Sequence, residues 1–103
     1  MSGIGALSER IVLLRPVRAP DGGGGHAITF EARETVWASA EDRPAARSTL
    51  GDRSPRPRRR FTARAEAEIL FETRIQHDGV TFRVTDIRRD RADRFQTIET
   101  EAL

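Results

Sequence analysis

Phe61 to Glu72, FTARAEAEILFE, is the most regular stretch of the chain. Phe61, Ala63, Ala65, Ala67, Ile69 and Phe71 fall on one side of a period of two, with Thr62, Arg64, Glu66, Glu68, Leu70 and Glu72 on the other. A half-buried strand requires this alternation, because successive side chains leave opposite faces of the pleat. Alanine and glutamate favour helices, so ARAEAEIL also admits a helix on propensity alone. Alternation sustained from Phe61 to Glu72 outweighs that preference, and the stretch reads as a strand. Its inward alanines leave room for a second strand or a neighbouring subunit, which makes Ala63, Ala65, Ala67 and Ile69 candidate subunit contacts.

The elements on either side repeat the pattern. Downstream, Gln76-His77-Asp78-Gly79 is a hairpin turn in which Asp-Gly supplies positive φ. Val80 to Ile87 alternates again through Val80, Phe82 and Val84. Arg88 to Arg94 is a charged turn, and Phe95 to Leu103 is a last strand with a short acidic tail. Upstream, Ala27 to Ala40 (AITFEARETVWASA) is a strand region, with Arg33–Glu34 marking a bend or bulge. Glu9 to Arg15 is a shorter strand that Pro16 closes. Asp21 to Gly25 (DGGGG) is a turn. Residues 1–7 are mostly small and are expected to be flexible, with Leu7 the first expected anchor.

Five or so antiparallel strands with clear turn signals predict an all-β fold, a small antiparallel β-barrel, as a single domain over residues 1–103. Ile11, Leu13, Ile28, Phe30, Trp37, Phe71, Phe82 and Val84 share size and phase and are expected to fill its core.

Between the second and third main strands lies a different kind of sequence. From Arg43 to Arg60, seven arginines (Arg43, Arg47, Arg53, Arg56, Arg58, Arg59 and Arg60) face a single acid, Asp52, so that span carries +6 in a chain whose net charge is +2. Such asymmetry points to a partner rather than to a fold, although a solvated linker would have the same composition. Pro55 and Pro57 remove backbone donors and push their predecessors to extended conformations, so residues 54–60 are expected to be neither helix nor inner strand. The whole of 41–60 therefore reads as a long basic loop. Asp42 stands where an N-cap would, with Pro44 in a first turn and Gly51 as a stop, so the loop has room for a short helix over 43–50.

Composition narrows the function classes. All 18 basic residues are arginine, there is no cysteine, and apolar residues make up 37% against 33% charged. A core so limited suits a subunit that gains stability from its neighbours. No apolar run approaches a membrane span and no secretory pattern opens the chain, so a soluble protein is expected. His26 and His77 stand beside turns with no third ligand nearby in sequence, so no metal is expected. No serine has a nucleophile's context, and Glu66 and Glu68 lie two apart on a strand's outer face rather than as an acid–base couple. Neither catalysis nor a cofactor is expected. The DGGGG turn lacks the lysine, threonine and helix of a phosphate cradle. Trp37 reads as a core or interface anchor.

Four stretches carry a resemblance. The order Leu7-x-x-Arg10-Ile11-x-Leu13-x-Arg15-Pro16, then Asp21-Gly22 with further glycines, then Thr35-Val36-Trp37-Ala38-Ser39, resembles the head–tail joining family, the head-closure or stopper proteins of tailed phages and of phage-derived gene transfer agents. Asp78-Gly79-Val80-Thr81-Phe82-Arg83-Val84-Thr85-Asp86-Ile87 is similar to the family's C-terminal hairpin. The resemblance implies a β-barrel assembled in the host cytoplasm into a ring, hexameric or dodecameric, at the head–tail interface of a virion or phage-like particle. It also implies an adaptor or portal ring above, a tail terminator or tail ring below, and double-stranded DNA through the channel. In such proteins the excursion between the second and third strands reaches toward the lumen. Arg53, Arg56, Arg58, Arg59 and Arg60 are then the candidates to meet DNA or to grip the adaptor. Two other readings remain beside it: a tail terminator or other tail ring, and a free nucleic-acid-binding barrel. The second would show more aromatic stacking platforms than this chain's six aromatics, five Phe and one Trp, provide.

Overall fold

Where the chain turns sets where its strands end. Gly22 and Gly24 (φ 85° and 87°), Asp78 and Gly79 (52° and 76°) and Asp93 (55°) carry the backbone into the left-handed region. Around these points a computed structural model describes residues 7–44 and 56–103. It has six strands: β1 (Glu9–Pro20), β2 (His26–Arg43), β3 (Arg58–Arg64), β4 (Arg74–His77), β5 (Val80–Arg89) and β6 (Phe95–Ala102). Every neighbouring pair is antiparallel, and the sheet closes as a barrel in the order β1-β2-β3-β6-β5-β4. The all-β barrel expected from the alternating runs is the fold observed.

Two of the three hairpins, β1–β2 and β4–β5, turn on glycines and behave as those glycines require. Asp21 caps the β1–β2 turn, its carboxylate accepting from the backbone amides of Gly23 (2.8 Å) and Gly25 (3.1 Å). Asp78 and Gly79 both have positive φ, the two-residue turn whose twist matches that of the strands it joins. Gly79→Ala is expected to destabilise the protein by about 1–2 kcal/mol through left-handed strain alone, since a Cβ there meets nothing within 4 Å. A thermal melt unchanged by the substitution would contradict this. The bulge expected near Arg33 is also present: Leu13 pairs with Glu34 and Leu14 with Ala32, which leaves Arg33 as the extra residue.

Three boundaries differ from expectation. Pro16 does not close β1, which runs on to Pro20. Beyond Leu14 the β4 partner is gone, so β1 and β2 continue as a two-stranded ribbon, and a proline is tolerated on a strand with one free side. The alternating run from Phe61 is a strand only to Arg64; residues 65–73 leave the sheet through turns. Gln96 holds that segment down, its Nε2 donating to the carbonyls of Arg64 (3.0 Å) and Ala67 (2.7 Å). The basic loop is shorter than 41–60, because Glu41 to Arg43 end β2 and Arg58 to Arg60 begin β3. Arg60 faces Glu41 and Arg59 faces Asp42 across the ladder, so charge pairing supports this strand pair, and Pro57 precedes β3 instead of interrupting it. Asp42 is thus a strand residue and caps no helix. The helix expected over 43–50 begins at a strand residue, Arg43, and its later part lies outside the described residues.

The core draws on more residues than expected, many of them smaller, and it is more polar. Ile11, Leu13, Ala38, Phe61, Ala63, Ala67, Ile69, Ile75, Phe82, Val84, Ile98 and Ala102 form it, with Thr73, Gln96 and Thr100 also buried. Phe61 and Phe82 meet edge to face at 5.6 Å. Ile11, Leu13, Phe82 and Val84 were expected there. Phe30 is only half-buried, while Ile28, Trp37 and Phe71 are 62%, 51% and 63% exposed. The physical reason is width: in β2 the residues packing against the core are Val36, Ala38 and Ala40, small enough to sit opposite two phenylalanines.

Candidate functional site

The arginines on which the sequence reading centred separate by strand parity. Arg59 shares its face with Phe61 and Ala63 and points inward, while Arg58 and Arg60 point out. Arg59 closes one end of the barrel. Its Nε donates to Asp42 (2.8 Å), a terminal nitrogen donates to Nδ1 of His77 (2.9 Å), and its guanidinium lies 4.9 Å over the Phe82 ring. His77 is buried, and Phe61 meets its ring edge to face at 5.3 Å. Because Nδ1 accepts from Arg59, the proton sits on Nε2, which donates to Glu9 (2.9 Å). Glu9, His77, Arg59 and Asp42 thus link β1, β4, β3 and β2 in one polar chain.

No signal local to the sequence placed Glu9 beside His77; β1 brings it there from 68 residues away. Glu9, His77 and Asp78 bring ligand atoms within 4.8 Å of one another. The hydrogen bonds already made by both ring nitrogens account for this grouping as a structural link.

On the outer wall an open groove of about 840 Å³ is lined by Arg43, Pro44, Arg58, Arg60, Thr85, Asp86, Arg88, Thr97 and Glu99. Arg60 donates from Nε to Glu99 (2.6 Å) and approaches Glu41 (3.7 Å). Arg88 pairs with Asp86 (2.9 Å) and Arg43 with Glu41 (4.0 Å). Arg58 alone of the four has no acidic partner among the described residues, and Arg56 beside it is exposed. Of the five arginines proposed for DNA or adaptor contact, Arg56 and Arg58 are therefore available, Arg60 is engaged, and Arg59 is built into the barrel end. Arg53 lies outside the described residues, as does Arg47.

The candidate subunit contacts also take definite positions. Ala63, Ala67 and Ile69 are packed in the core of the single chain, and Ala65 is half-buried. They do not form an exposed edge. What the outer wall exposes instead is apolar surface along β1 and β2: Trp37, with Arg10 4.8 Å over its ring, and Ile28.

A family model described as phage head completion protein matches residues 3–103. The chain belongs to the phage head completion family. Its role is accordingly structural, at the connection where a phage head is completed and the tail joins. Two solved structures share the architecture. One is a chain from the virion of a native gene transfer agent particle, 23% identical, covering 93% of this chain and 94% of that one, with a TM-score of 0.72. The other is a protein of Shigella flexneri 2a known from a solution structure, 20% identical over 98% of this chain and 96% of that one, also at 0.72. No curated protein sequence matches the chain. Both similarities take in nearly the whole of each chain.

Proposed function

We propose that this head completion protein forms a homo-oligomeric ring that closes the head of a phage or phage-like particle, joining the portal or adaptor to the tail, without catalysis. What carries the reading is the family match over residues 3–103. The charge distribution supports a contact with packaged DNA. In a ring each subunit repeats its exposed Arg56 and its half-buried Arg58, concentrating guanidinium groups around one axis. Duplex DNA presents one negative charge per ~1.7 Å, and arginine contacts to phosphate need no base sequence. The groove beside Arg58 holds four arginines against Asp86 and Glu99, so it keeps a positive balance after internal pairing.

The test is the double variant Arg56→Ser, Arg58→Ser, with Arg59 and Arg60 left in place because they hold β2, β3 and β6 together. Normal ring incorporation with DNA leaking from filled heads is the expected result. Full retention of DNA would remove these arginines from the lumen. Loss of incorporation would show that they grip the acidic surface of an adjoining ring instead.

A further inference from the structure

A closed barrel should leave no strand edge unpaired, yet β1, β2 and β5 each run past a partner. β2 pairs with β3 only over Ala38–Arg43, so Ala27–Trp37 has β1 on one side and nothing on the other. β5 pairs with β4 only over Val80–Arg83, so Val84–Arg89 is open on that side. β1 is open beyond Leu14. Among the described residues no other backbone hydrogen bond reaches the open stretches of β2 and β5.

These edges are not equivalent. Pro16 and Pro20 interrupt the open part of β1 and cannot donate, the usual device against unwanted pairing. The open stretches of β2 and β5 contain no proline. The β2 stretch is exposed throughout apart from the half-buried Phe30 and Val36. A two-stranded ribbon of this kind has little stability by itself.

We propose that the β2 edge of one copy, Ala27–Trp37, pairs as a strand with the β5 edge, Val84–Arg89, of the next copy. This rests on the ring reading given above and names its contact. The two edges are different surfaces of one chain, so their union is heterologous, the kind of contact that builds a ring when its rotation closes. Charge favours the match: Glu31 and Glu34 against Arg33 leave the β2 stretch at −1, while Arg88 and Arg89 against Asp86 leave the β5 stretch at +1. Backbone hydrogen bonds supply the affinity and alternate side chains the register, as in strand addition generally.

The chain has no cysteine, so single substitutions report cleanly. Glu31→Cys and Arg88→Cys proteins, co-assembled into particles and oxidised, are expected to give dimers joined between positions 31 and 88. In wild-type particles alternate amides of residues 27–37 are expected to lose the rapid exchange they show in the free protein. Rings that form normally but yield only 31–31 or 88–88 links, or links to another protein, overturn the pairing and leave the ring standing. Unprotected 27–37 amides in assembled rings overturn it as well, independently of any substitution. Particles without a ring of this chain overturn the proposed function itself.

Discussion

Phe82→Ala is expected to destabilise the free protein by about 3–5 kcal/mol, the cost of emptying a fully buried aromatic site. For a domain of this size that lowers the thermal midpoint by on the order of 20 °C. Phe82 has no exposed surface, meets Phe61 edge to face, and carries the Arg59 guanidinium on its ring. The cavity would therefore remove support from the polar chain at the barrel end as well as from the core. Phe71→Ala is the contrast: 63% exposed, it is expected to change stability by less than about 0.5 kcal/mol. A Phe82→Ala melt displaced by only a degree or two would remove the residue from the core.

Arg59→Ala should separate the arginines by role. Loss of Arg59 removes the hydrogen bond to His77 Nδ1, the link to Asp42 and the stacking on Phe82. His77 is then left buried with an unmet acceptor. An expected cost of about 2–4 kcal/mol follows, most of it from that unmet group and the lost packing, because Asp42 is largely in solvent. Arg58→Ala, one residue away on the outer face, should fall within about 0.5 kcal/mol of the parent. Equal effects of the two substitutions in denaturant titrations would refute the division into inward and outward arginines.

Turns were the most legible part of this fold, because Gly22, Gly24 and Gly79 occupy backbone conformations that other residues resist. Strand phase was legible as well. Ile28, Phe30 and Trp37 do share a face, with the bulge at Arg33 restoring the phase between them: they pair with Arg18, Pro16 and Arg10. Which face is inside was not legible for β2, because size argued for the large residues while the narrow interior selected Ala38 and Ala40. The end of β3 was hidden for a related reason. Ala67 and Ile69 are buried although their segment is a turn, so burial kept period-two order beyond the strand. At the site, seven arginines announced a partner surface, but only pairing across strands distant in sequence shows that Arg59 belongs to Asp42 and His77 and Arg60 to Glu99.

The join between β1 and β4 sets the order in which this barrel comes together. Val12–Leu14 meets Arg74–Gln76 across roughly sixty intervening residues, whereas β1–β2 and β4–β5 are hairpins whose strands meet after short turns. Bringing such distant segments together costs more chain entropy than zipping a hairpin, and the short join returns few hydrogen bonds for it. Closure is therefore expected to be the late step of folding, after the β1–β2 hairpin and the β4–β5–β6 meander have formed separately. With three residue pairs, the β1–β4 join is also the shortest ladder of the wall, and the line expected to part first under strain. The ribbon leaves the barrel beyond Leu14 on β1 and before Ala38 on β2, so any load a neighbour places on it enters the wall through the β1–β4 and β2–β3 ladders.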